Sequence, residues 1–99
     1  APHRIPDNAF LVPVCSVGSE GAVLLLIEDT SIVPELLAGE LRNPLRGELY
    51  FSRKAGSLES MEVAMQCDGR RWPQVFTHNG RLHVYDVVGN QLYAWSAAM

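Results

Sequence analysis

The chain has 99 residues, 47% hydrophobic and 19% charged, with a formal net charge of −3. That length holds one folded core, and that composition lies outside the disordered range. The longest apolar run, Ala22 to Ile27, falls well short of the ~20 residues a spanning helix needs, and a pI near 5.5 lacks the basic footprint of phosphate-backbone binding, so neither membrane insertion nor a nucleic-acid partner is expected.

Residues 1–8, with Pro2 and Pro6 among polar residues, read as an extended arm, and residues 9–99 as one β-rich domain. Residues 9–17 look like a strand, with Phe10, Val12 and Val14 on one face and Leu11, Pro13 and Cys15 on the other. Proline cannot donate to a ladder, which pushes that strand to an edge or into a bulge. After the turn at residues 16–21, the unbroken run Ala22–Ile27 predicts a central strand covered on both faces. Residues 31–41 supply a short helix: Ser31 is a plausible N-cap, Pro34 suits a first turn, and Ile32, Val33, Leu36, Leu37 and Leu41 make an apolar stripe. Gly39 weakens that helix or ends it early.

Glu48 to Arg53 reads as a strand, followed by a turn at residues 54–57. Residues 59–67 then alternate, with Met61, Val63, Met65 and Cys67 inward and Ser60, Glu62, Ala64 and Gln66 outward. Asn79-Gly80 and Gly89-Asn90 are both short-hairpin signals, giving strands at about 73–78, 81–88 and 91–96. Two-residue loops at both points put Val75, Leu82, Val84, Val88, Tyr93 and Trp95 on one face, with Asp86 and Gln91 among them. The other face then carries Phe76, His78, Arg81, His83, Tyr85, Val87, Leu92 and Ala94. The fold class that follows is mainly β: a small antiparallel sandwich or meander sheet of six or seven strands with one short helix at about 31–41.

The charge is uneven along the chain. Residues 1–41 set Arg4 alone against six carboxylates, whereas residues 42–81 hold seven cations against four acids. Two cysteines, Cys15 and Cys67, fall in different strands, and a disulfide between them would close a loop of about 50 residues, worth roughly 4 kcal/mol by chain entropy. With a first residue of Ala rather than Met, that pairing favours a periplasmic or secreted protein, a reduced cytoplasmic one being the alternative.

Chemistry is sparse. The chain has no P-loop, G-x-S-x-G, H-E-x-x-H, EF-hand or C-x-x-C pattern, so no catalytic, cofactor-binding or metal-ligating residue is named. His78 and His83 become diagonal neighbours without a third ligand, and Asp86 points away from His83, so a dyad is not expected. Two surfaces remain as candidates for binding another protein. One is the segment Asp68-Gly69-Arg70-Arg71-Trp72-Pro73, expected to display Arg70, Arg71 and Trp72 on a stiff loop. The other is the outward set Phe76, His83 and Tyr85, exposed unless the helix covers it. The expected function is therefore a small exported binding protein, most concretely an inhibitor or immunity-type protein that blocks a toxin or hydrolase. The alternatives are a non-catalytic subunit of a larger assembly and, behind it, a carbohydrate- or ligand-binding module.

Overall fold

The computed structural model describes residues 9–54 and 56–95; the expected arm at 1–8, His3 and the end of the last strand lie outside them. Among these described residues seven antiparallel strands form two sheets. The first has the order β1-β2-β3-β4, from Phe10–Val17, Gly21–Ile27, Leu45–Arg53 and Leu58–Cys67. The second is the meander β5-β6-β7, from Gln74–His78, Arg81–Asp86 and Gln91–Trp95. A 3₁₀ turn, Thr30–Ile32, runs into a short helix, α1, at Val33–Leu37. The protein is thus a mainly β domain with one short helical segment, as its alternation implied.

Pro13 acts as its chemistry requires. β1 is an edge strand, and its register with β2 slips between Pro13↔Leu24 and Cys15↔Val23, which leaves Val14 as an extra residue. One extra residue changes the phase of the alternation. Val12 faces the core before the bulge, and Cys15 and Val17 share that face after it, so Cys15 is not opposite Val12 as strict alternation predicts. β2 is central, between β1 and β3, and buries Val23, Leu25, Leu26 and Ile27.

The helix is shorter than the 31–41 expected. Asp29, not Ser31, starts the segment: its carboxylate accepts from the Ser31 N–H at 3.1 Å and from the Ser31 hydroxyl at 2.6 Å. Pro34 sits in the first turn of α1, and the chain leaves the helix through Gly39 at φ +73°, a left-handed conformation open to glycine. Val33 and Leu36 point into the core, but Leu37 is 61% exposed because five residues present only one apolar edge.

β4 carries a larger irregularity. Its pairing passes from Glu48↔Ala64 to Tyr50↔Ser60, so two additional residues bulge out around Glu62, which has φ 55°. Two extra residues preserve the phase, and Met61, Met65 and Cys67 remain buried as the alternation predicts. In the second sheet Asn79 and Gly80, at φ 52° and 73°, form the expected two-residue turn, and Val75↔Val84 and Phe76↔His83 pair as expected.

The β6–β7 connection is different. Its pairing begins at Asp86↔Gln91, leaving a four-residue loop, Val87 to Asn90, where two residues were expected. The buried Asp86 carboxylate accepts the Gly89 N–H at 3.0 Å and closes the longer loop. Val87 and Val88, expected at the end of the strand, therefore leave it. The register moves by two, which returns every other side chain to its expected face.

The core lies between the sheets. Val12, Val23, Leu25, Ile27, Leu49, Phe51, Met61, Met65 and Cys67 of the first sheet meet Leu82 and Val84 of the second, with Val33 and Leu36 of α1 alongside. Trp95 closes against Phe51, ring centroids 5.4 Å apart. Tyr50, on the opposite face of β3 from Leu49 and Phe51, is also buried; its hydroxyl donates to Glu48 Oε2 at 2.9 Å, and burial followed by that carboxylate pushes it up to about 12.

Candidate functional site

The segment 68–73 is built around one carboxylate. Asp68 is buried and its Oδ1 accepts the backbone N–H groups of Arg70 at 2.9 Å and Arg71 at 2.8 Å. Its Oδ2 accepts from Arg71 Nε at 2.8 Å and Nη2 at 2.6 Å. The backbone bond from Arg70, then the Arg71 guanidinium, hold this carboxyl below the usual carboxylate range. Gly69 backs onto Gly39, where a Cβ would meet backbone at 2.5 Å, and its N–H donates to the Leu41 carbonyl. The turn is thereby pinned against the segment that leaves the helix.

This arrangement divides the sequence-predicted residues. Arg70 and Arg71 stay on the surface, as expected, and border an open cleft of about 610 Å³ with Arg42 and Glu40. Trp72 does not stand out from the loop. Its indole is half-buried against the core, and Pro73 behind it is buried, so the expected three-residue wedge is reduced to two guanidiniums.

The Cys15–Cys67 bridge is not formed; both are free thiols. Strand order explains this. β1 and β4 are the opposite edges of a four-stranded sheet, three inter-strand spacings or about 14 Å apart in its plane. Cys15 is level with Val23 and Phe51, whereas Cys67 is level with Leu45, six residues further along β3. A disulfide needs Cα atoms within about 7 Å. Burial raises the Cys15 thiol, and burial, Asp68 and Asp86 push Cys67 up to about 11.

The outer face of the second sheet keeps its expected residues together. Phe76 is 46% exposed and stacks on His83, centroids 5.2 Å apart and planes 11° off parallel. His78, which was not placed in the binding set, meets the same imidazole edge-on at 5.8 Å. The alternation of the hairpin already put it on that face. Tyr85 follows on β6, its hydroxyl donating to Asn90 Oδ1 at 2.7 Å, and Leu92 pairs with it on β7. The helix does not cover this face, because α1 turns Val33 and Leu36 into the core between the sheets.

Asp86 lies on the inner face, committed to Gly89 and turned away from His83. Among the described residues no three His, Cys, Asp or Glu side chains gather as a metal-ligand set, and no helix is long and apolar enough to cross a membrane. Comparison with family models, with curated proteins and with solved structures finds no match. The chain is described by its own architecture: a two-sheet antiparallel β domain with an aromatic outer face on the smaller sheet and an arginine-lined turn leading into it.

Proposed function

We propose that this protein acts by binding another protein rather than by catalysis, and that Phe76, His78, His83 and Tyr85 on the outer face of the second sheet form the contact. The observation that carries the reading is the Phe76–His83 stack: two rings held parallel on a regular hairpin, one of them nearly half exposed. Aromatic side chains already fixed by a neighbour lose little entropy on binding, which is the property of interface anchors. The rings stand on the open face of a sheet, so they suit the surface of a partner rather than a narrow cleft. An inhibitor or immunity-type blocker that covers its target fits this geometry; one that inserts the 68–73 turn as a wedge loses support now that Trp72 is packed inward. Arg70 contributes as an exposed cation that attracts an acidic partner and raises its association rate, the Arg71 charge being offset by Asp68.

The test is affinity capture with the wild-type chain, Phe76→Ala and a distant surface control, Arg46→Gln. A protein retained by the wild type and the control, and bound at least tenfold more weakly by Phe76→Ala, is the expected result. A partner held equally by all three removes this face from the function.

A further inference from the structure

The four edge strands of the two sheets are unequally protected. β1 carries Pro13 and a bulge, and it lies beside β5, whose own start is fixed by Pro73. β4 carries the Glu62 bulge, with Glu59 and Glu62 placing acids along that edge. Prolines, bulges and charges are the devices that keep a strand edge from pairing with another chain. β5 has none within its own span but lies against β1, whereas β7 has none and pairs, among the described residues, with β6 alone. Its sequence, Gln91-Leu92-Tyr93-Ala94-Trp95, has no proline and no charge, and its register with β6 is unbroken from end to end. Every second N–H and C=O of β7 faces away from β6, and among the described residues no strand pairs with them.

The side chains of β7 also say what fits there. Laid antiparallel against a copy of itself with the two-fold axis at Tyr93, the strand sets Leu92 opposite Ala94 on the outer face and Gln91 opposite Trp95 on the inner one. Leu92, 62% exposed in the single chain, then gains cover from a strand whose facing residue is small enough to admit it. No like charges meet, because β7 has no charge to oppose. The same operation on β4 would meet the bulge around Glu62, which breaks the regular ladder a second strand needs.

We propose that two copies of this chain associate through β7, antiparallel about Tyr93, and so join their three-stranded sheets into one continuous sheet. A five-residue strand buries much less than the ~1,600 Å² of a standard stable interface, so the pair is weak and its population depends on concentration. The two Phe76–His83 stacks then lie on one shared outer face.

Sedimentation velocity over a concentration series tests this directly. The wild-type mass is expected to rise from the 10.9 kDa of one chain toward twice that value as concentration increases. Leu92→Lys combined with Ala94→Lys puts like charges opposite across both outer pairs and holds the chain monomeric, with an unchanged far-ultraviolet spectrum showing that it folds. A mixture of a Leu92→Lys chain with an Ala94→Glu chain associates more tightly than either variant alone, because one pair becomes lysine opposite glutamate, and this fixes the register. A wild-type chain that stays monomeric throughout overturns the proposal, as does a dimer that survives the double lysine variant. Slow hydrogen exchange at all β7 amides in a monomer also overturns it, since the edge would then be occupied from within the chain. Phe76→Ala leaves this association intact while weakening partner capture, so the two proposals fail separately.

Discussion

Asp68 decides the shape of its turn. A buried carboxylate is tolerated only when its oxygens are satisfied, and here two backbone N–H groups and one guanidinium satisfy them. Because these donors favour the charged form, the folded-state carboxyl lies below its ordinary 3.8. The group contributes stability that is fully present above that ordinary value and is lost as pH falls through the lowered one. Asp68→Asn keeps an acceptor for the backbone and removes the charge facing Arg71. The expected outcome is a lower urea midpoint at neutral pH and a shallower decline in acid. Urea midpoints measured at a series of acidic pH values check this, and parallel curves for the two proteins would sink it. The same carboxylate explains why Trp72 turns inward: with Arg70 and Arg71 drawn around Asp68, the chain leaves the turn toward the core, where an indole is better placed than in water. A reading by composition sees Arg-Arg-Trp as three displayed side chains, since it cannot see the acceptor that organises them.

Among the elements, the two hairpins of the second sheet carry similar turn signals and end differently. At Asn79-Gly80 both residues take positive φ and the loop is two residues long, so strand faces and pairing were legible from the dipeptide. At Gly89-Asn90 the buried Asp86 reaches the Gly89 N–H first, and the strand ends two residues earlier. A side chain competing for backbone donors leaves no periodic trace. Phe76, His83 and Tyr85 were nevertheless assigned to the correct face, because a shift of two residues does not exchange faces. The loop itself makes a prediction. A Cβ at Gly89 would lie 2.5 Å from Asp86 Oδ2, and Asp86 is held in place by burial. Gly89→Ala is expected to cost about 1–3 kcal/mol through that overlap. Chemical denaturation measures it, and a loss within experimental error would show that the loop re-forms without the Asp86 contact. In β1 the single extra residue at Val14 did change the phase, which alternation alone cannot anticipate even when proline marks the place.

For the whole molecule, the number of strands and their mainly antiparallel character followed from alternation and turns, but the strand order did not. Pairing between distant segments is set by the packing of two sheets, and the cysteines show the consequence. Cys15 and Cys67 each stand in a strand as expected, yet topology sends them to opposite edges. The expectation of an oxidising compartment rested on that bridge and loses that support. Intact mass after alkylation tests the arrangement. In denaturant without reductant, both thiols are expected to take a label. Under native conditions at neutral pH Cys67 should resist, being buried and protonated, while half-buried Cys15 reacts slowly. Two blocked thiols in unreduced protein would contradict the sheet order itself.

The bulges of β1 and β4 also set a limit on assembly. A chain with every edge usable can add a neighbour on each side and grow without end, whereas a chain with one usable edge has a valence of one. Pairing at β7 consumes that valence, so the product is a closed pair and growth stops there. Straightening β4, by deleting its two bulged residues and replacing Glu59, would raise the valence to two and turn the same chemistry from dimerisation into polymerisation. Seen this way, the irregular edges of the larger sheet terminate what the regular edge of the smaller one begins.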